Sequence, residues 1–209
     1  DKVIAEMDRL SKKPVLMPYL FPSMYPTEMT IVYHNIQSIR NKFHWADLQN
    51  FMKYNTPTIF IAAETWTSLT DAINIDGYVV LLRLDGKFQR NAFGLVIYMK
   101  QNNVASVVYT YSNETRGKTC CLATIVCGEV AICTGYKPPS TPFAAVQDSF
   151  EASLNAALNE RSKVIILGDF NLDVNSKPLH YFYSNLKNAG FSSQLPENTS
   201  TTNSRTGID

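Results

Sequence analysis

Five polar residues stand where apolar runs stop. Asn35 closes MTIVYHN, Glu64 follows TIFIAA, Tyr136 closes EVAICTGY, and Asp169 and Asn171 follow KVIILG. A carboxylate such as Glu64 is a hard oxygen donor suited to Mg²⁺, which keeps several waters and needs only one or two protein carboxylates. An amide such as Asn35 can bind the metal or its waters. A second carboxylate, Asp169, could take a proton from water. Asn171 and Tyr136 could donate to nonbridging phosphate oxygens, where charge builds in the transition state. Together the five would suit metal-assisted phosphoester hydrolysis. Each residue alone reads otherwise just as well. An Asp or Asn after a strand is commonly a turn residue or cap, Glu64 can cap the loop that follows it, and Tyr136 before KPPS can be an ordinary rim aromatic. The histidines add little: His34 should face away from Asn35, and His44 and His180 fall on expected helices.

These residues converge only if their strands end at one rim. MTIVYHN, TIFIAAETW, GYVVLL, FGLVIYM, VASVVYTY, CLATIV, EVAICTGY and KVIILGDF read as strands between Gly, Asn and charged turns. In SIRNKFHWADLQNFMKYN, Ile39, Phe43, Leu48, Phe51 and Met52 form a stripe at helical spacing, with Ser38 as the expected N-cap. TPFAAVQDSFEASLNAALNER reads as one helix, with Phe143, Val146, Phe150, Leu154 and Leu158 on its apolar face and Pro142 near its first turn. SKPLHYFYSNLKNAG reads as a helix stopped by Gly190. The order β-α-β, several β, then α-β-α holds too many consecutive strands for a doubly wound parallel sheet. It suits an α/β (α+β) architecture of two β-sheets packed face to face, with helices on the outer faces. Residues 1–28 form a leader or linker, Pro-rich from Pro14 onward, and 29–209 the domain.

The chain has 209 residues and a formal net charge of +1, so overall charge neither suggests nor excludes a nucleic-acid partner. Residues 81–118 carry Arg83, Lys87, Arg90, Lys100, Arg116 and Lys118 against Asp85 and Glu114, a bias that can meet phosphates or simply decorate solvated hairpin tips. Cys120, Cys121, Cys127 and Cys133 form no CxxC pair and lie in β-like segments, which fits reduced, packed thiols and an intracellular compartment, with Cys120 and Cys121 on opposite strand faces. No apolar run approaches membrane-spanning length, and no membrane association is expected. The sequons at Asn113 and Asn198 are read as chance matches.

HNIQSIRNK, AAETW, TGYKPPS, ILGDFNLD and SRTGID occur in that order. From about Met29 to Asp209 the chain resembles the endonuclease/exonuclease/phosphatase superfamily. Within it, the chain most resembles the apurinic-type endonuclease domain of non-LTR (LINE-type) retrotransposons. The resemblance implies a four-layered sandwich of two mixed sheets and Mg²⁺-dependent nicking of one DNA strand, with Mn²⁺ as a possible substitute. It implies that Glu64 is the main metal ligand with Asn35 beside it and that Tyr136 orients the scissile phosphate. Asp169 would position or deprotonate the attacking water, and Asn171 would hold the phosphate. Asp209 would be the acid that pairs with the catalytic His, and Thr201 or Thr202 a phosphate contact. Arg40, Lys42 and the basic hairpins would meet the backbone of double-stranded DNA. A downstream reverse transcriptase in the same polyprotein and a nuclear location follow from the same likeness.

Such domains carry a further strand and a Ser-Asp-His-type element after the ID motif. The sequence begins without Met and ends at Asp209 in mid-pattern. The expectation is a fragment of a longer chain, inactive or weakly active by itself, with one sheet edge uncovered. Gln37 stands where repair enzymes of the superfamily carry an acid, which favours the retrotransposon branch. Two alternatives accompany this reading: a phosphodiesterase or phosphatase of the same superfamily, and a non-catalytic remnant acting at most as a binding module.

Overall fold

The computed structural model describes residues 28–85, 93–115, 118–172 and 184–193. Residues 1–27 of the Pro-rich segment, His180, Thr201, Thr202 and Asp209 lie outside the described residues.

Two βαβ units organise the chain. Strand β1 (Ile31–Asn35) is followed by helix α1 (Lys42–Asn55) and strand β2 (Ile59–Ala63), which lies parallel to β1 with Asn35 opposite Ala63. Strands β3 (Tyr78–Leu84) and β4 (Leu95–Lys100) complete a four-stranded sheet in the order β1-β2-β4-β3. Strands β5 (Ala105–Thr115), β6 (Lys118–Cys127) and β7 (Val130–Tyr136) form an antiparallel meander. Helix α2 (Gln147–Glu160) then leads to β8 (Lys163–Asp169), parallel to β7 with Tyr136 opposite Asp169. The second sheet has the order β5-β6-β7-β8. Both sheets are mixed, as expected. Among the described residues β1 pairs only with β2, and β8 only with β7.

Strand alternation sorts the apolar residues into layers. Ile59, Ile61 and Ala63 of β2 and Leu95 and Ile97 of β4 face Cys121, Ala123 and Ile125 of β6 and Ile132 of β7. The intervening Phe60, Ala62, Val96 and Tyr98 face Leu48 and Met52 of α1. Cys120, Leu122, Val126, Ala131 and Cys133 face the α2 side of the second sheet. The result is helix, sheet, sheet, helix, the four layers expected. Fully burying a side chain such as Ile59 or Met52 contributes about 1.5–3 kcal/mol. A register shift between Val107 and Tyr109 of β5 turns the strand over: Val107 packs between the sheets, but Tyr109 and Tyr111 pack on the α2 side. Cys120 and Cys121 do lie on opposite faces, and all four thiols are buried and free.

Some expectations are corrected. The N-cap of α1 is Asn41, whose side chain accepts from the Phe43 N–H at 2.9 Å. Ser38 lies before the helix with φ +88° and donates its N–H to Glu64 O instead. Phe43 is 68% exposed and outside the buried stripe, which Leu48 and Met52 carry. The segment read as one helix splits into a 3₁₀ turn at Phe143–Ala145 and α2. Between them Val146 leaves helical geometry at φ −126° and buries its side chain against the cluster of Cys120, Leu122 and Phe150. Gly190 does end a helical turn. At φ +90° it donates to Lys187 O, and Phe191 donates to Leu186 O, the paired bonds of a Schellman cap. Among the described residues no helix is long and apolar enough to cross a membrane.

Candidate active site

Each βαβ unit ends its two parallel strands at the same edge of its sheet, and the sandwich sets the two edges against each other. Asn35 closes β1, Glu64 follows β2, and Tyr136 and Asp169 close β7 and β8. The Asn35 side chain spans the gap. Its Nδ2 donates to Glu64 Oε1 at 2.9 Å and to Asp169 Oδ2 at 2.9 Å, so one amide group bridges carboxylates from different sheets. Its Oδ1 receives the Gln37 N–H at 3.3 Å.

The motif GDFN now has a local explanation. Phe170 and Leu172 alternate with Asp169 and Asn171, and both apolar residues bury on the α2 side, Phe170 with its ring 5.2 Å from that of Phe150. Asn171, at φ +47°, donates its amide to Lys137 O at 2.9 Å, and the Lys137 N–H donates to Asp169 O at 2.9 Å. Tyr136 packs its ring 5.9 Å from Phe93. Burial, then the charge and hydrogen-bonding of Glu64, push its phenol well above the ordinary tyrosine value, so it remains an O–H donor.

Left-handed backbone gathers around the rim. Gln37, Ser38, Glu64, Trp66 and Asn171 all have positive φ. Such conformations cost about 1–3 kcal/mol each and persist where the surroundings over-determine them. Ser38 N–H to Glu64 O at 2.8 Å, Ile39 N–H to Thr65 O at 2.9 Å and Trp66 N–H to Phe93 O at 2.9 Å supply that restraint.

Two residues at the rim escaped sequence reasoning. Tyr33 of β1 donates its hydroxyl to Gly135 O of β7 at 3.0 Å, tying the sheets together beside the site. Burial raises its phenol well above the usual value against the opposing pull of the Asp169 N–H. Strand alternation gave the signal: Ile31, Tyr33 and Asn35 share a face, and a buried tyrosine hydroxyl needs a partner. Lys137, 2% exposed, donates its ammonium to Pro138 O and Thr141 O at 3.1 and 2.9 Å. Burial lowers its affinity for a proton, with nearby Cys120 and Asp169 opposing.

The basic residues divide. Lys42 is exposed, its ammonium over the Phe43 ring at 5.3 Å. Arg40 pairs with Asp71 at 2.8 Å and donates to Ser68 Oγ at 2.9 Å, with 40% of its side chain still exposed. Burial acts to raise the Asp71 carboxyl, but hydrogen bonds from the Ser68 N–H and from Arg40 outweigh it and hold the group below the ordinary carboxylate value. Arg83 is one of the basic residues of the 81–118 segment. Its guanidinium is spent on Asp85 and on the carbonyls of Ser68 and Asp71, with 18% of the side chain exposed.

Among the described residues no three His, Cys, Asp or Glu side chains gather as a metal cluster. The rim does offer two carboxylates, Glu64 and Asp169, joined by a neutral amide, and neither forms an ion pair with Lys or Arg among the described residues. Carboxylate oxygens without a basic partner are available as ligands for a cation. Carboxylate oxygens as donors fit a hard divalent ion better than a soft one. The chemistry of these donors therefore fits a divalent metal held by Glu64 with Asn35 and Asp169 at hand.

The fold and rim define a phosphoester-hydrolase type of α/β sandwich. The model of the Endonuclease/Exonuclease/phosphatase family matches residues 32–208, and the chain belongs to that family. The family comprises hydrolases that typically depend on divalent metals. Solved structures with a similar fold include an endonuclease/exonuclease/phosphatase family protein from Bacteroides thetaiotaomicron, 17% identical over 77% of this chain and 69% of that one, with a TM-score of 0.50. Truncated Caenorhabditis elegans TDP2 is 14% identical over 84% and 69%, also at 0.50. The 3′-5′ exonuclease NExo from Neisseria meningitidis is 16% identical at 0.48, with 69% of this chain covered; the chain spans 59% of that protein's length. No curated protein sequence matches the chain.

Proposed function

We propose that the chain is the DNA endonuclease domain of a retroelement polyprotein, nicking one strand of duplex DNA so that the exposed end primes reverse transcription. The observation that carries the hydrolytic part is the Asn35 amide, which holds Glu64 and Asp169 together across the two sheets at 2.9 Å each. The five ordered motifs support the retroelement part, which places a reverse transcriptase downstream and the work in the nucleus.

Glu64 would hold Mg²⁺ with Asn35, and Mg²⁺ or Mn²⁺ there would supply a Lewis acid for the phosphate. Asn35 keeps the two carboxylates in register. Asp169, fixed through its carbonyl to the Lys137 N–H, orients a water and accepts its proton as the water attacks phosphorus and the P–O3′ bond breaks, the departing O3′ taking a proton from solvent. The Tyr136 O–H, kept protonated by burial and Glu64, donates to a nonbridging oxygen. Asn171, anchored on Lys137 O, steadies the phosphate from the other side. Exposed Lys42 and the exposed part of Arg40 meet backbone phosphates, and Thr202 would add a contact.

The test compares supercoiled plasmid with a small phosphomonoester as substrates. Slow Mg²⁺-dependent nicking of the plasmid, lost in Glu64→Ala, is the expected outcome. Turnover of the monoester in preference to the plasmid would contradict the reading.

A further inference from the structure

We propose that Arg83, Asp85 and Thr67 are positioning residues that fix Glu64 for metal binding, and that Arg83 takes no part in holding DNA. This rests on the metal-site reading of the rim.

Glu64 is followed by a loop that carries no regular structure but is fastened at almost every residue. Thr65 is fully buried and Thr67 4% exposed. Their hydroxyls lie 3.1 Å apart, and Thr67 Oγ1 donates to Asp85 Oδ1 at 2.6 Å. Gly94 makes room for this chain of hydroxyls. A Cβ there would stand 2.5 Å from Thr65 Oγ1, and φ of +120° also disfavours any side chain. Arg83 holds Asp85 through Nε at 2.9 and 2.8 Å and reaches past it to the carbonyls of Asp71 and Ser68. Ser68 and Asp71 close their own turn, Ser68 N–H to Asp71 Oδ2 at 2.7 Å and Asp71 N–H to Ser68 O at 2.9 Å. Arg83 therefore grips a preformed turn that begins four residues beyond the strained Glu64. A planar, forked guanidinium suits that task; a lysine ammonium cannot reproduce the fork.

Groups that orient a metal ligand change metal affinity by about 10–100-fold when removed. Mn²⁺ binding followed by electron paramagnetic resonance is expected to weaken about tenfold in Arg83→Gln, Arg83→Lys and Thr67→Val, while Thr67→Ser, which keeps the hydroxyl, stays near wild type. The fall of duplex affinity with salt should have the same slope in Arg83→Gln as in wild type. A slope smaller by about 0.9 would make Arg83 a phosphate contact and overturn the proposal. Equal Mn²⁺ affinity in Thr67→Val and Thr67→Ser would overturn it too. Absence of Mn²⁺ binding by wild type would overturn the metal reading of the rim itself. Amide exchange of the metal-free protein then decides the fastening: faster exchange across Glu64–Asp71 in Arg83→Gln upholds it, and unchanged exchange refutes it.

Discussion

Asn35 uses its two amide hydrogens on two carboxylates that would otherwise repel each other, one from each sheet. Asn35→Ala removes the bridge and leaves Glu64 and Asp169 to separate. Mg²⁺-dependent nicking should fall about 10–100-fold, with the melting temperature within a few degrees of wild type, as measured by plasmid relaxation and calorimetry. In the proposed mechanism Tyr136→Phe removes one donor to the phosphate while keeping the ring against Phe93. A loss of about 10²–10³ in the nicking rate with unchanged Mg²⁺ affinity is expected from loss of a transition-state donor. Residue types at strand ends were enough to nominate Asn35, Glu64, Tyr136, Asp169 and Asn171, and the structure brings these five to one rim. The contacts that hold them could not be read in the same way. Tyr33 looks like any strand aromatic until its partner across the sandwich is known. Arg83 looked like surface charge, because net charge along a sequence does not say which carboxylate a guanidinium will meet. The spacing Arg83-Leu84-Asp85 was the overlooked signal, since alternate strand residues share a face.

Strand β6 carries the thiols that make the clearest pH prediction. Burial pushes Cys120 and Cys121 from the ordinary thiol value up to about 12. The folded state thus keeps protons that the unfolded chain releases above pH ~9. Their contribution to stability is complete below that pH and declines as pH rises toward 12, by about 1.4 kcal/mol per thiol per unit. Denaturant midpoints should fall steeply above pH 9, and a Cys120→Ala, Cys121→Ala pair should flatten that fall. At β7, Gly135 allows close packing of neighbouring strands: a Cβ there would collide with Cys121 O and stand 2.6 Å from Leu122 Cδ2. Gly135→Ala should destabilise by about 1–3 kcal/mol and also disturb the Tyr33 anchor on Gly135 O. Strand and helix periodicity was legible here because each element buries one face. Helix starts were less so: both Ser38 and Asn41 are competent caps, and the bond from the Ser38 N–H to Glu64 O, with the Asn41 side chain on the Phe43 N–H, decides between them.

At the scale of the molecule, the two parallel βαβ ends explain why the site exists. Parallel strands finish at the same edge, and stacking two such units places four strand ends around one gap. The layered order was readable from the succession of elements, whereas the pairing of β1 with β2 and of β7 with β8 required the structure. If the gap is a cation site, its behaviour should depend on Glu64 more than on any other residue. Isothermal titration of the protein with Mg²⁺ tests this directly. One ion bound per chain, with binding abolished in Glu64→Ala while the fold persists by circular dichroism, is the predicted result. Binding that survives Glu64→Ala, or no binding by the wild-type protein, would contradict it.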